Sequence, residues 1–215
     1  MYKIIKKELL APNIYRMDIA APRVACSAKP GQFIILRLDE KGERIPLTVA
    51  DYDAAEGWVT IVTQTVGYST TKLCAMNPGD ELADFAGPLG RPSDFVHEDI
   101  GTAPVYTQVK WLSQHGIKAD VIIGAKNEDT LILVDMMKQV AGNVYIATDD
   151  GSAGFHGMVT DLMRDLIDKQ GKRYDEVIAI GPMIMMKFVA KTTKQYGLKT
   201  IVSLNTLMVD GTGMC

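Results

Sequence analysis

Glycine followed by hydroxyl residues at a helix start is a combination that suits an anion, and Gly67-Tyr68-Ser69-Thr70-Thr71 has that form. First-turn N–H groups lack helical partners and the dipole is positive there, so a pyrophosphate fits. Alone, the same run is a plain serine cap. Arg44-Ile45-Pro46-Leu47-Thr48 places a cation beside a rigid proline at a strand start; alone it is an ordinary edge strand. Gly87-Pro88-Leu89-Gly90-Arg91-Pro92 is, alone, a turn. In the second half, Gly124-Ala125-Lys126-Asn127, the run Thr148-Asp149-Asp150-Gly151-Ser152-Ala153-Gly154 and Gly181-Pro182-Met183 each follow an apolar run. If those runs are parallel strands, such turns are where ligands bind, in the crevice beyond the carboxyl ends. By itself the aspartate- and glycine-rich run is a flexible loop. Met185 and Met186 are expected in the interior. His97, His115 and His156 have no metal-ligand spacing, and no Ser–His–Asp order emerges. No catalytic acid, base or nucleophile is assigned.

The elements that must position these runs fall into halves with different periods. Up to about Asp94, the runs Tyr2–Leu9, Asn13–Ala20, Gln32–Leu38, Pro46–Tyr52, Trp58–Gln64 and Glu81–Phe85 are short and rich in Ile, Val, Leu and Tyr. Turn residues separate them and one helix, Ser69–Met76, interrupts them, which predicts a β-barrel or sandwich. From about Ala103, helices are predicted at Val105–Gln114, Glu128–Val140 (with Leu131, Val134 and Met137 on one face), Val159–Lys169 and Met183–Tyr196. Strands are predicted at Asp120–Gly124, Asn143–Thr148, Glu176–Ile180 and Lys199–Leu204. Alternating units of this kind predict a parallel sheet covered on both faces.

Composition excludes several function classes. A formal net charge of -3 with scattered cations offers no footprint for nucleic acid. The longest apolar stretch, Val177 to Met186, is too short to span a membrane and is read as core. The N-terminus lacks a signal-peptide pattern, so a cytoplasmic location is expected. Cys26, Cys74 and Cys215 are far apart and odd in number. No disulfide framework is expected, and Cys26 and Cys74 are read as buried or half-buried thiols.

Together and in this order, the R-x-P-L-T run, the G-x-S-T helix start and the G-P-L-G turn resemble the ferredoxin–NADP reductase superfamily. The resemblance covers essentially the whole chain. It is nearest to the small subunits that accompany dihydroorotate dehydrogenase, sulfide dehydrogenase and NADH-dependent reduced ferredoxin:NADP oxidoreductase. It implies an FAD-binding antiparallel β-barrel over residues 1–97 and a doubly wound α/β NAD(P)-binding domain over 98–204. It implies that Pro46, Leu47 and Thr48 contact the flavin, flanked by Val62, Thr63 and Gln64. Gly67, Ser69 and Thr70 would hold its phosphates, with Arg44 as a further contact. For the nicotinamide nucleotide it implies Gly101, Thr102, Pro104, Gly124, Asp149, Asp150, Gly151, Gly181, Pro182 and Met183. Acidic Asp149 and Asp150 would meet ribose hydroxyls and favour NAD over NADP. The activity implied is electron transfer between NAD(P)H, FAD and a [2Fe–2S] cluster, to or from a partner subunit. The ferredoxin:NADP oxidoreductase alpha-subunit type is the first reading, with the dihydroorotate dehydrogenase electron-transfer subunit and a non-catalytic flavin-binding module as alternatives. The implied partners are a large flavoprotein or iron–sulfur subunit and ferredoxin.

The sequence departs from the family's pattern in specific places. Many relatives carry the Arg three residues before the Ser or Thr; here Ile45 stands there and Arg44 is one further back. The family's glycine-rich turn follows a first strand, whereas here Asp99-Ile100 runs straight into Gly101-Thr102-Ala103-Pro104. An α/β domain without that strand leaves backbone groups orphaned, so a skipped segment between Ile100 and Gly101 is expected. Asp210-Gly211-Thr212-Gly213-Met214-Cys215 matches the start of the family's iron–sulfur segment, assigned here to residues 205–215. A cluster takes four thiolates, and Cys215 supplies one.

Overall fold

The computed structural model describes residues 2–92 and 105–204, which fall in two compact units. In the first unit the strands are β1 (Tyr2–Ala11), β2 (Ile14–Ala20), β3 (Phe33–Arg37), β4 (Ile45–Thr48), β5 (Asp51–Asp53), β6 (Trp58–Gln64), β7 (Glu81–Leu82) and β8 (Asp84–Leu89). They form two antiparallel sheets, ordered β5-β6-β2-β1-β7 and β4-β3-β8. Alternation along each strand sends Ile4, Met17, Ile19, Ile34, Leu36, Val59, Ile61 and Phe85 into one shared core. Each such side chain contributes about 1.5–3 kcal/mol on burial.

Two expected strands are each divided, for a common reason. Pro46–Tyr52 breaks at Val49-Ala50, where the Val49 N–H donates to Gln32 O in one sheet and the Ala50 N–H to Thr60 O in the other. Glu81–Phe85 breaks at Ala83, with β7 pairing β1 and β8 pairing β3. At both corners the chain passes between sheets, which closes the unit as a barrel does. The helix α1 (Pro22–Ser27), absent from the sequence reading, starts on Pro22 and faces Val24 and Ala25 inward. One further residue of helical rotation turns Cys26 outward, so this thiol is exposed, contrary to expectation; Cys74 is buried. The second helix of the unit is α2 (Tyr68–Ala75).

The second unit alternates as predicted: α3 (Val105–Gln114), β9 (Asp120–Ala125), α4 (Val134–Val140), β10 (Asn143–Thr148), β11 (Phe155–His156), α5 (Val159–Arg164), β12 (Glu176–Ala179), α6 (Met183–Gln195) and β13 (Lys199–Val202). Every strand pair is parallel, in the orders β11-β10-β9 and β12-β13. Val121 packs with α3 and α4, while its neighbour Ile122 packs with the α5 and α6 cluster, so both faces are covered. The expected helix Glu128–Val140 is shorter. The Thr130 hydroxyl donates back to Asn127 O and Oδ1, closing a single 3-10 turn, and Leu133 at φ +59 separates it from α4. Leu131 therefore lies outside the helix, and Met137 is the residue of the expected face that is buried. Among the described residues no helix is long and apolar enough to cross a membrane.

Candidate functional site

In the first unit the structure brings the β3–β4 connection to the start of α2. The Ser69 hydroxyl donates to Glu43 Oε2 at 2.8 Å, and Lys72 Nζ meets Asp39 Oδ2 at 2.5 Å. Lys72 holds the Asp39 carboxyl below its usual range, and Asp39 in turn raises Lys72. A pocket of about 220 Å³ opens here, lined by Asp39, Lys41, Glu43, Tyr68, Ser69 and Lys72 among others. The Thr70 hydroxyl is spent on local structure. It accepts from the Val66 and Gly67 amides at 3.1 and 3.0 Å and donates to Gly67 O at 3.1 Å. The first-turn amides, which an α-helix leaves without helical partners, and the Ser69 hydroxyl on Glu43 are the donors at this helix start that could hold an anion.

Both β4 and α2 lie against β6. Pairing fixes the faces: Pro46 is exposed and Thr48 half-buried on the outer side of β4, while Leu47 turns in with Ile45 onto the core. On β6, Val62 and Gln64 share the outward side and Thr63 is buried, with its hydroxyl toward the Cys74 thiol. Burial pushes that thiol up, against the lowering pull of Thr63 and Lys7. Arg44 is exposed and takes part in no ion pair among the described residues. Tyr68, at 82% exposure, is a pocket residue that the sequence reading passed over, as are Glu43, Asp39 and Lys72. The pairings of Glu43 and Asp39 span 26 and 33 residues, which no local pattern signals.

In the second unit the loops after β9 and β10 are joined. The Asp149 and Asp150 amides donate to Ala125 O and Lys126 O at 3.1 and 3.3 Å, and the Glu128 amide donates to Ser152 Oγ at 2.8 Å. The aspartate- and glycine-rich run is therefore a built turn and not a loose loop. Thr148, fully buried, donates its hydroxyl to Ala153 O and accepts from the Ala153 amide. The Ser152 hydroxyl and amide hold the exposed Asp150 carboxyl below its usual range. Gly154 has φ +67, and a Cβ there would strike the Ile146 carbonyl, so the turn requires glycine. At Gly124 a Cβ would strike Val159. Gly181, at φ +152, Pro182 and Met183 lie where β12 passes into α6, in the other sheet. Met183 is 68% exposed, whereas Met186 is buried and Met185 half-buried, as expected of them. Gly101, Thr102, Pro104 and Cys215 lie outside the described residues. Among the described residues no three His, Cys, Asp or Glu side chains could hold a metal ion.

No family model matches the chain. It is 57% identical to an uncharacterized protein in the adh 3' region of Clostridium beijerinckii, over 230 residues that cover all of this chain and 78% of the relative. It is 42% identical to the Thermotoga maritima homolog of the dihydroorotate dehydrogenase B (NAD(+)) electron transfer subunit, covering 99% of this chain and 77% of that protein. The solved NADH-dependent reduced ferredoxin–NADP oxidoreductase superposes with a TM-score of 0.88 at 40% identity, covering all of this chain and 80% of that one. With its antiparallel β unit, its parallel α/β unit and these relatives, the chain belongs to the ferredoxin–NADP reductase-like superfamily, among the dihydroorotate dehydrogenase B electron-transfer subunits and their homologues.

Proposed function

We propose that the chain binds FAD in its first unit and a nicotinamide nucleotide in its second, and passes electrons to or from a partner subunit. The observation that carries this reading is the convergence at α2: first-turn amides without helical partners, the Ser69 hydroxyl beside them, and the exposed Arg44 in the same connection that supplies Glu43. That donor set fits a pyrophosphate. The outward sides of Pro46, Thr48, Val62 and Gln64 offer the adjoining surface for a ring system. Residues 1–97 are the flavin domain and 98–204 the nucleotide domain in this reading.

When bound, the flavin supplies the hydride and single-electron chemistry, and the protein supplies placement and electrostatics. Ser69 and the α2 amides neutralise and orient the phosphates. Glu43 must release Ser69 for that to happen. Asp149 and Asp150 would accept from ribose hydroxyls, which favours NAD, and the exposed Met183 would contact the nicotinamide. Of the four thiolates that a [2Fe–2S] cluster takes, Cys215 would be one, and Cys26 and Cys74 lie in the flavin unit. No step is assigned to it.

The ferredoxin–NADP oxidoreductase reading is supported by the 40% identity to that solved structure, and the dihydroorotate dehydrogenase reading by the 42% identity to the Thermotoga homolog. The partner recovered with the protein separates them: a large flavoprotein for the first, a dihydroorotate-oxidising subunit for the second. The activity itself is tested by anaerobic titration of the FAD-loaded protein with NADH and with NADPH. Bleaching of the visible flavin band by NADH is expected. Bound flavin that neither nucleotide reduces would leave a flavin-binding module without turnover.

A further inference from the structure

Helices α5 and α6 lie side by side over one face of the second unit's strands, with Met163, Met186 and Val189 turned onto it. Two hydrogen bonds fix their alignment. Arg164 Nη2 donates to the Thr192 hydroxyl at 3.2 Å, and the Tyr196 hydroxyl donates to Asp168 Oδ2 at 2.7 Å. Each joins residues 28 apart, so the helices run parallel and a residue of α6 stands level with the residue 28 before it. Beyond Arg164, α5 continues through a π turn, Asp165–Lys169. The outward side of α6 carries Lys187, Lys191 and Lys194 and no acid. At about 3.6 residues per turn those lysines form one stripe. The exposed Ile184 and Phe188 form the next, between the lysines and Thr192. The outward side of α5 and its π turn carries Asp161, Asp165 and Asp168.

The two rows match, since both have the spacing i, i+4, i+7. Lys187, Lys191 and Lys194 stand level with positions 159, 163 and 166. Each is therefore two residues, or about 3 Å of helical rise, from an aspartate of the other row. The rows do not meet within the chain, because the lysines lie on the flank of α6 remote from α5. None of the three has an ion-pair partner among the described residues, and Lys191 lies over the Phe188 ring, 5.9 Å from its centre. The aspartates have partners in Arg164, Lys169 and the Tyr196 hydroxyl, yet three carboxylates against two cations leave their row negative. They line a recess of about 230 Å³ that Phe155 also walls. Such a recess suits a lysine, whose stem packs on the ring while its ammonium meets carboxylates.

We propose that the α5–α6 face is the contact between two copies of this chain, docked about a two-fold axis that runs parallel to the helices. Lys187, Lys191 and Lys194 of each copy then meet Asp161, Asp165 and Asp168 of the other, with Ile184 and Phe188 between the charged flanks. This axis keeps every level and sets α6 of each copy on α5 of the other, an isologous contact. An axis across the helices sets like charges together, which is unfavourable. Two helices about 20 Å long and about 10 Å apart present roughly 400 Å² per copy. A stable interface covers about 800 Å² per partner, so this dimer is weak and depends on concentration. It is independent of the flavin and nucleotide reading, and so are its tests.

Sedimentation equilibrium of the 215-residue chain is recorded over a micromolar-to-millimolar series, under reducing conditions because Cys26 is exposed. Reversible dimerisation is expected, weakened about tenfold or more by high salt or by Lys187→Glu with Lys191→Glu. A chain with Asp161→Lys and Asp165→Lys is expected to lose the dimer as well. Mixing the two doubly substituted chains restores it, since opposite rows meet again. Should the aspartate variant not fold, the lysine variant and Phe188→Ser decide, and both must weaken the dimer. A monomer at every concentration overturns the inference, whether the face meets another protein or solvent. So does a dimer that salt and the lysine substitutions leave intact, or a failure of the mixed chains to associate when circular dichroism shows both folded.

Discussion

Adjacent hydroxyls at the start of α2 have opposite assignments, and alanine substitutions separate them. Thr70 Oγ1 holds the Val66 and Gly67 amides and bonds Gly67 O, all at 3.0–3.1 Å. Thr70→Ala removes a helix-start cap, worth about 1 kcal/mol. In a unit of this size that lowers the melting temperature by about 4–8 °C. Among the described residues Ser69 Oγ donates only to the exposed Glu43 carboxylate, so Ser69→Ala changes stability by no more than about 0.5 kcal/mol. If that hydroxyl serves a phosphate, its loss removes a hydrogen bond to a charged group, about 1.5–3 kcal/mol. FAD affinity then falls by about ten- to 150-fold. Thermal melts of the apoprotein and quenching of flavin fluorescence on titration read the two quantities. Wild-type FAD affinity in Ser69→Ala would refute the assignment of the α2 start to the pyrophosphate.

Glu43→Gln, which removes the carboxylate that engages Ser69 and would oppose a phosphate, tightens FAD in the same titration; weaker binding would show that Glu43 supports the site. Gly154→Ala, with its strained φ and its collision with Ile146 O, costs more than about 2 kcal/mol in urea unfolding of the second unit, whereas Gly171→Ala, at φ +67 with open space around it, costs about 1 kcal/mol. In a Cys215→Ser background, Cys26 reacts rapidly with a thiol reagent and Cys74 only after denaturation, as their exposure requires. Burial pushes the Asp120 carboxyl up, but Asn143, Tyr174 and Lys172 outweigh it and leave it below its usual range. The stability it contributes is therefore complete above the unfolded carboxylate value of about 3.9 and is lost as pH falls through the lower folded value. Asp120→Asn costs about 1–3 kcal/mol at neutral pH and flattens the acid limb of a plot of urea midpoint against pH.

Local pattern reached as far as the faces of elements. Alternation in Trp58–Gln64 is β6, the apolar spacing of Met183–Tyr196 is α6 within one residue, and the α/β alternation after Ala103 is the parallel unit. Side-chain period is a property of neighbours in the chain, so it survives in the sequence. Partnership is not such a property. Nothing near Val49 or Ala83 says that the chain changes sheets there, because the bonds that divide those strands come from Gln32, Thr60 and Leu38. Leu133 and the 3-10 turn before it interrupt a run with good helical spacing, since the Thr130 hydroxyl closes the turn locally. The candidate site divides the same way. Alone, Gly67-Tyr68-Ser69-Thr70 reads as a plain serine cap, and only together with the R-x-P-L-T run and the G-P-L-G turn does it resemble a phosphate-binding helix start. Only the folded barrel assigned Thr70 to the cap, turned Thr63 inward, and set Glu43 and Asp39 against α2, because those contacts depend on which distant segments the core brings together.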